Sequence, residues 1–214
     1  MEPMITGYCS IRDNGVITDG RLEHFEENFV NFADFIKSLY RKEGISYPKF
    51  FKMDGLSKLG FLTAELLLKR REMDRYRDDR VGLALSNSSS SLDTDLAYSE
   101  TIRDRNNYFP SPSVFVYTLP NIMNGEICIR HKFRGENTFL VSERFDSVLL
   151  YTAIREALEN DRLDACIGGW VELLHDRYES LLFLVERSPR STGDMPADTR
   201  EFSAAEIEKL YLKT

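Results

Sequence analysis

The chain has 214 residues, enough for one substantial hydrophobic core. Apolar residues make up 42% and charged residues 29%, which predicts a packed globular protein and excludes a disordered one. A formal net charge of -7 argues against nonspecific nucleic-acid binding, because such binding requires clustered Lys and Arg.

The first part of the chain predicts one strand and two helices. Met4 to Ile11 is an apolar strand, closed by the turn-forming residues Asp13-Asn14-Gly15. A first helix is predicted from apolar residues at intervals of three and four, namely Leu22, Phe25, Phe29, Phe32, Ile36 and Leu39. A second helix is predicted within Met53 to Met73, with a leucine stripe and a basic end at Lys69-Arg70-Arg71.

The middle of the chain predicts a buried strand followed by a tight turn. Val81 to Leu85 reads VGLAL, which is typical of a strand covered on both faces. The serine-rich stretch Ser86 to Ser91 leads at once into a helical pattern from Leu92 to Ile102. A flexible linker and a phosphate-binding loop are alternatives for this stretch, but it is short and lacks the glycines and lysine of a P-loop. A structural turn is therefore favoured.

The rest of the chain alternates helices and strands. The pattern predicts a helix within Leu119 to Phe133, a strand at Thr138 to Val141, a helix from Ser147 to Asn160, strands at Leu163 to Gly168 and Ser180 to Glu186, and a last helix at Ala204 to Leu212. The first half of the helix from Ser147 is apolar on nearly every side, which predicts a central, covered helix. Together the elements predict an α/β fold with a mainly parallel mixed sheet and helices on both faces.

Several stretches, in order, resemble the N-terminal half of β-ketoacyl-acyl carrier protein synthases. They are ITG at Ile5 to Gly7, KMDGLSKLGFLTAELLL at Lys52 to Leu68, RVGLALSNSSSSLDTD at Arg80 to Asp95, FPSPSVFVYTLPNIMNGEICIRHKFRGENT at Phe109 to Thr138, and DACIGGWVEL at Asp164 to Leu173. The resemblance implies a thiolase-like half-fold over residues 1–187. Residues 188–214 are then predicted to be a flexible link, rich in Ser, Pro, Gly and Asp up to Ala197, and a short C-terminal helix.

The resemblance also locates the position of the family's nucleophile. In such synthases a catalytic cysteine follows the strand after an Arg-Gly pair, at the start of the central helix. Counting from Gly135 places this position at or near Arg144, and no cysteine occurs between Cys128 and Cys166. The family's two catalytic histidines belong to the half that this chain does not include. The resemblance therefore implies a synthase-like protein without the condensing machinery.

The residues of the turn suggest two further chemical roles. A guanidinium is permanently protonated, so Arg144 cannot hold an acyl group as a thioester, although it could bind a carboxylate, a phosphate or a partner's carbonyl. Solvation, or pairing with Glu143, is an equal alternative for Arg144. Ser142 or Ser147 could serve as the nucleophile of a small acyl hydrolase or acyltransferase, but the stretch lacks a Gly-x-Ser-x-Gly elbow. Asp146 is predicted to cap the following helix.

No metal or cofactor is expected from the sequence. The histidines His24, His131 and His175 are scattered without metal-ligand spacing. Cys128 and Cys166 lie in apolar surroundings and predict buried thiols of ordinary pKa. No apolar run approaches the ~20 residues of a membrane span, and the start MEPMITGYCSI lacks the features of a signal peptide. A cytoplasmic protein that contacts neither membrane nor nucleic acid is therefore predicted.

Taken together, the residues and the resemblance predict a non-condensing subunit of fatty-acid, polyketide or aryl-polyene-type biosynthesis. Acyl carrier protein or another synthase-like subunit is the expected partner. A basic patch for an acidic carrier is predicted at Arg130, Lys132, Arg134 and Arg144, with a solvated helix end as the alternative. The helix from Ser147 would lack a cover in a half-fold, which predicts a homo- or heterodimer. A purely structural pseudoenzyme is a further alternative.

Overall fold

The structure, a computed structural model, describes residues 2–26, 31–106, 108–187 and 199–213. In these residues eight strands form one sheet. The strands are β1 Met4–Arg12, β2 Gly15–Thr18, β3 Arg21–Phe25, β4 Val81–Asn87, β5 Asn137–Val141, β6 Ala165–Leu174, β7 Arg177–Glu186 and β8 Arg200–Glu201. The helices are α1 Phe32–Lys42, α2 Gly55–Leu68, α3 Leu92–Ile102, α4 Pro112–Phe115, α5 Ile122–His131, α6 Ser147–Glu159 and α7 Ala204–Lys213.

The sheet is mixed, but its parallel part is smaller than predicted. The strand order is β3-β2-β1-β7-β6-β4-β5, and β8 pairs with the start of β1. Only the pairs β4–β5 and β4–β6 are parallel among the described residues, so the prediction of a mainly parallel sheet is wrong. The reason is that β1, β2 and β3, and likewise β6 and β7, follow one another through short turns, which allow only antiparallel pairing.

Strands β6 and β7 form a hairpin, and both are longer toward the connecting turn than predicted. Strands were predicted at Leu163 to Gly168 and at Ser180 to Glu186, whereas the observed strands extend to Leu174 and begin at Arg177. The connecting turn places His175 in the left-handed region, with φ 57°. This conformation suits a two-residue hairpin turn. The two strands therefore form one long antiparallel ladder.

The first predicted helix is divided in the structure. Leu22 and Phe25 lie in strand β3, whereas Phe32, Ile36 and Leu39 lie in α1. Phe29 falls outside the described residues. Helix α1 begins after Asn31, whose side chain accepts a hydrogen bond from the Asp34 backbone N–H at 2.9 Å. Apolar residues three apart can thus occur across a strand and a helix, and the cap marks where the helix starts.

Buried side chains form two clusters, one on each face of the sheet, which confirms the prediction of helices on both faces. Helices α1, α2 and α5 contribute to the larger cluster. We call this side the α2 face. Helices α6 and α7 contribute to the other cluster, together with Trp170 and Phe183 of the sheet. We call this side the α6 face.

Helix α6 differs from its prediction in two ways. It is amphipathic rather than buried on nearly every side, because Leu150 and Ile154 are fully buried while 62% of Val148 is exposed. It is also covered by the chain itself, since α7 packs against it. The prediction that this half-fold lacks a cover for α6 is therefore wrong. An amphipathic C-terminal helix provides the apolar surface that the prediction assigned to another subunit.

The C-terminal part of the chain is only partly described. The predicted flexible link from Ser188 to Ala197 lies outside the described residues, so the division of the chain at residue 187 stays a prediction. The predicted last helix is observed as α7. Among the residues that the structure describes, no helix has both the length and the apolar character that a membrane crossing needs.

Candidate functional site

The candidate site lies at the carboxyl ends of the parallel strands β4 and β5. Segment 86–91, which we call loop 86–91, comprises the last two residues of β4 and the turn after them, and turn 142–146 connects β5 to α6. The two segments touch, because the Ser142 backbone N–H donates to the Asn87 carbonyl at 3.0 Å. Ligand sites in α/β sheets are commonly found at this end of the strands. This edge is also where the resemblance places the nucleophile.

Turn 142–146 is held by hydrogen bonds within itself and with the start of α6. The Ser142 hydroxyl donates to the Arg144 carbonyl at 2.8 Å. The Asp146 carboxylate accepts the Leu149 backbone N–H at 2.9 Å, which confirms its prediction as the helix cap. The side chains of Glu143 and Arg144 are exposed. The position predicted for the nucleophile thus carries an exposed guanidinium, which has no lone pair for acyl transfer.

Arg144 lines an open hollow between α6 and α7. The hollow has a volume of about 470 Å³ and is lined by Arg144, Phe145, Asp146, Ser147, Glu208 and Tyr211. The rings of Phe145 and Tyr211 stack with centroids 3.9 Å apart and planes within 7°. Two carboxylates share the hollow with the one guanidinium. Helix α7 therefore supplies one wall of the site, a feature that the sequence pattern did not indicate.

Loop 86–91 already holds an anion, and that anion is a side chain of the same protein. The Glu172 carboxylate accepts the Ser88 backbone N–H and hydroxyl, each at 2.7 Å, and the Ser89 backbone N–H at 3.2 Å. Asn87 and Ser90 exchange two further hydrogen bonds of 2.9 Å. These contacts support the prediction of a structural turn. Glu172 fills the position that a phosphate would take in a binding loop.

Arg130 forms a close ion pair inside the α2 face. Its guanidinium donates two hydrogen bonds to Glu65, at 2.9 and 3.0 Å, and lies 5.3 Å from the ring centroid of Tyr47. Burial opposes ionisation of Glu65, but the interactions with His131 and Arg130 outweigh it and lower the pKa of Glu65 to about 2. Arg130 is therefore already occupied by a carboxylate.

The four residues of the predicted basic patch do not form one surface. Lys132 caps the end of α5 with φ 61°, and the Arg134 backbone N–H donates to the Asp78 carbonyl at 2.7 Å, ahead of β5. Arg144 follows β5, so the strand separates it from Arg134, and five residues of strand span about 16 Å. The structure thus divides the predicted patch into an α5 end and the Arg144 hollow. Carrier binding by either part stays a prediction.

The thiols are poor candidates for a nucleophile. Cys9 and Cys166 are buried and Cys128 is half-buried. Burial raises the pKa of Cys9 and Cys166 to about 12 and that of Cys128 to about 11. The expectation of ordinary pKa values for Cys128 and Cys166 is therefore wrong, because removal from water penalises the thiolate.

Neither Ser142 nor Ser147 contacts a catalytic base in the described part of the chain. Each histidine interacts elsewhere: His24 with Lys42, His131 with Glu65 and His175 with Asp93. Ser147 is largely buried at the start of α6. A serine nucleophile requires a base within hydrogen-bonding reach. The hydrolase alternative therefore gains no support from this geometry.

A further surface lies beside the site, around the outer edge of β5. Strand β5 pairs with β4 alone in the described ranges. Helices α3 and α4 contact each other, and the 3₁₀ turn Val116–Thr118 connects them to α5, which contacts this strand. These elements carry exposed apolar side chains, which we call the edge surface: Leu92 and Leu96 of α3, Phe115 of α4, Val116 and Leu119 of the connection to α5, Ile129 of α5 and Val141 of β5. In α3 only Thr94 is buried, so this helix has little packing of its own.

The fold combines a mixed sheet with helices on both faces, and α6 begins after the short turn that follows the edge strand β5. No family model matches the sequence, and no curated protein matches it. The comparison with solved structures therefore carries the assignment.

Solved ketosynthase structures share this fold over most of the chain. The ishigamide ketosynthase/chain length factor is similar with a TM-score of 0.65 and 17% identity, covering 92% of this chain and 64% of that one. A chain from the structure of a ketosynthase in complex with its chain length factor from Xenorhabdus doucetiae has a TM-score of 0.58 and 11% identity. That match covers 88% of this chain and 80% of the other. A third similar chain comes from the structure of a type II polyketide acyl-carrier protein in complex with its ketosynthase bound to the hexaketide. Its TM-score is 0.59 and its identity is 16%, and the match covers 86% of this chain and 62% of that one.

These comparisons confirm the resemblance to β-ketoacyl synthases at the level of the fold. The chain spans 64% of the ishigamide structure's chain, so it corresponds to a part of such a protein. Sequence identities of 11 to 17% show a common fold and leave the activity to be argued from the site.

Proposed function

We propose that this chain is a non-condensing β-ketoacyl synthase-like subunit of fatty-acid, polyketide or aryl-polyene-type biosynthesis. It acts by pairing with another synthase-like subunit or by binding acyl carrier protein. The observation that carries the proposal is turn 142–146. A thiolase-like fold places this turn at the start of α6, yet an exposed arginine occupies the position where the resemblance expects the nucleophile.

Condensation requires a thiolate that holds the growing acyl chain as a thioester. Such a thiolate is stabilised at a helix N-terminus or beside a cation, which lowers its pKa. The thiols of this chain have raised pKa values, and burial is the main cause. These facts support a role that does not include covalent loading of an acyl chain.

The edge surface supports the pairing part of the proposal. Exposed apolar side chains on connected elements are typical of protein interfaces. Leu96 is 45% exposed on α3, and Val141 is 57% exposed at the end of β5, whose outer edge is unpaired in the described part of the chain. The similar structure from Xenorhabdus doucetiae is itself a ketosynthase in complex with its chain length factor. A dimer, with a copy of itself or with a synthase-like subunit, is therefore the proposed assembly.

The exposed basic residues support the carrier-binding part. Lys132 and Arg134 are exposed at the end of α5, and Arg144 is exposed beside α6. Such side chains suit an acidic carrier or its phosphate. One similar structure contains an acyl-carrier protein in complex with its ketosynthase. A cytoplasmic location, without membrane or nucleic-acid contact, belongs to the same proposal.

A loading experiment tests the proposal directly. The purified chain is incubated with acyl-carrier thioester, and intact-mass spectrometry measures acyl adducts while chromatography measures released fatty acid. We expect neither an adduct nor release above the rate without protein. A condensing synthase serves as the positive control. An acyl adduct on this chain, or release that disappears in Ser142→Ala or Ser147→Ala, would contradict the non-condensing role and favour the acyltransferase or hydrolase alternative.

A further inference from the structure

Helix α7 is attached to the body of the protein mainly through α6. Ile207 is fully buried and Leu210 is 1% exposed, and both belong to the core cluster of the α6 face. Phe202 lies against Tyr151 of α6, with ring centroids 4.9 Å apart. Helix α7 thus packs beside α6 on the same face of the sheet, and it leaves the outward side of α6 exposed.

The end of α7 is anchored at turn 142–146 by Tyr211. Its ring stacks on Phe145, and the Arg12 guanidinium lies 4.9 Å from its centroid. Its hydroxyl donates to one carboxylate oxygen of Glu179 at 2.8 Å. That carboxylate oxygen also accepts the Trp170 indole N–H at 2.9 Å. Trp170 is therefore linked to the docked position of α7 through one carboxylate oxygen and through the ring of Phe145, 6.0 Å away.

The attachment of this segment is small compared with that of the central strands. Strand β8 pairs with β1 through two residues, Arg200 and Glu201. Strands β6 and β7, in contrast, pair over their whole length. Terminal elements that are held by few contacts open locally at a lower free energy than the core. The geometry therefore allows α7 to separate while the sheet stays intact.

We propose that α7 is a releasable cover over turn 142–146 and the side of α6 next to it. When docked, it supplies Glu208 and Tyr211 to the Arg144 hollow. When released, it uncovers the rings of Phe145 and Tyr151 beside Arg144 and removes one carboxylate from the hollow. The cover thus controls access to the turn. This inference rests on the packing of α7 and stands independently of the proposed function.

Native-state hydrogen exchange on the wild-type chain tests local opening. We expect the amides of Ile207, Leu210 and Tyr211 to exchange together, at a common rate at least about 100-fold faster than the amides of β6 and β7. Common exchange within α7 indicates one cooperative opening of the helix. Protection of the α7 amides equal to that of β6 and β7 would overturn the inference, because α7 would then open only when the whole protein unfolds.

A matched pair of substitutions in the full chain tests what the opening exposes. Ile207→Glu places a charge in the buried contact, whereas Leu212→Glu makes the same change at a side chain that is 73% exposed. Trp170 is the single tryptophan of the chain, so its fluorescence reports the contact directly. We expect Ile207→Glu to shift the emission to longer wavelength and raise acrylamide quenching at least about twofold, with Leu212→Glu unchanged. Emission and quenching of Ile207→Glu equal to wild type would overturn the inference.

Discussion

Helices α2 and α6 pack on opposite faces of the sheet, and they use similar apolar sequences in different ways. Nearly every residue of α2 is buried, including Gly60 and Thr63 on sides that a surface helix would expose. It contacts α1 and α5 as well as strands β1, β6 and β7. Helix α6 buries a single stripe, formed by Ser147, Leu150, Ile154, Ala157 and Leu158. The central covered helix of this chain is therefore α2.

The difference shows that apolar composition alone does not determine how a helix is covered. The first turn of helix α6 contains Val148, Leu149 and Leu150, yet only Leu150 is fully buried. Besides strands β4 and β6, α6 contacts the amphipathic helix α7 in the described part of the chain, whereas α2 contacts two helices and three strands. The α2 face is thus the stable core, and the α6 face carries a cover that is attached at the end of the chain. Four predictions, in order of decreasing effect, test this comparison.

The largest effect is expected in the core of the α2 face. Leu59 is fully buried, so Leu59→Ala removes apolar contacts and leaves a cavity. We expect the free energy of unfolding to fall by about 3–5 kcal/mol, measured by urea denaturation. A loss below about 1 kcal/mol, the level of a surface position, would show that α2 is not the central helix.

A smaller, pH-dependent effect is expected for the ion pair of α2. The pKa of Glu65 is lowered to about 2, so its carboxylate stabilises the fold above the ordinary carboxyl pKa and loses this contribution as the pH falls toward 2. Glu65→Gln should cost about 2 kcal/mol at neutral pH. The difference from wild type should shrink steadily in urea titrations between about pH 4.5 and pH 2. A difference that is constant with pH would contradict the assigned ion pair.

The N-terminal cap of α2 should contribute more to stability than the N-terminal cap of α6, because α2 is the more deeply buried helix. Asp54 accepts the Ser57 backbone N–H at 3.0 Å and the Thr94 hydroxyl at 2.8 Å, whereas Asp146 accepts only the Leu149 backbone N–H among its described contacts. We expect Asp146→Ala to cost about 1 kcal/mol and Asp54→Ala to cost more. Thermal or urea unfolding of the two variants measures this order, and equal losses would remove the distinction between the caps.

The smallest effect is expected on the exposed side of α6. Val148 is 62% exposed, so Val148→Ala should change the free energy of unfolding by less than about 0.5 kcal/mol. The measurement is the urea midpoint at constant slope, with Leu150→Ala as the buried control on the same helix. A loss above about 2 kcal/mol for Val148→Ala would restore the expectation that α6 is covered on nearly every side.

The sequence predicted the local structure of the site well. Asp146 followed by an apolar run gave the start of α6, and the motif order gave the thiolase-like fold. These features depend on neighbouring residues or on stretches that retain a recognisable pattern. The extent of β6 was missed because Gly168-Gly169 resembles a break, although both glycines lie within the strand, where side chains of β7 and α6 approach closely.

Long-range contacts could not be predicted in the same way. Glu172 occupies loop 86–91 from 84 residues away, and no local signal connects the two. Tyr211 reaches Phe145 and Glu179 only because α7 folds back onto α6. The amphipathic pattern of α7 predicts a helix with one apolar face, but it does not say what that face covers. The division of the predicted basic patch was missed for a related reason. Arg134 and Arg144 are close in sequence, but strand β5 lies between them and separates them in space.

Sedimentation velocity with a ketosynthase of the same genome most directly tests the proposed pairing. At micromolar concentration we expect this chain to form a complex, either with itself or with the synthase. Leu96→Glu on the edge surface should weaken the complex at least about tenfold, because a charge opposes burial of this side chain. Leu212→Glu on α7 should leave the affinity unchanged. A monodisperse monomer that stays free of the synthase would contradict the account, as would binding that is indifferent to Leu96→Glu.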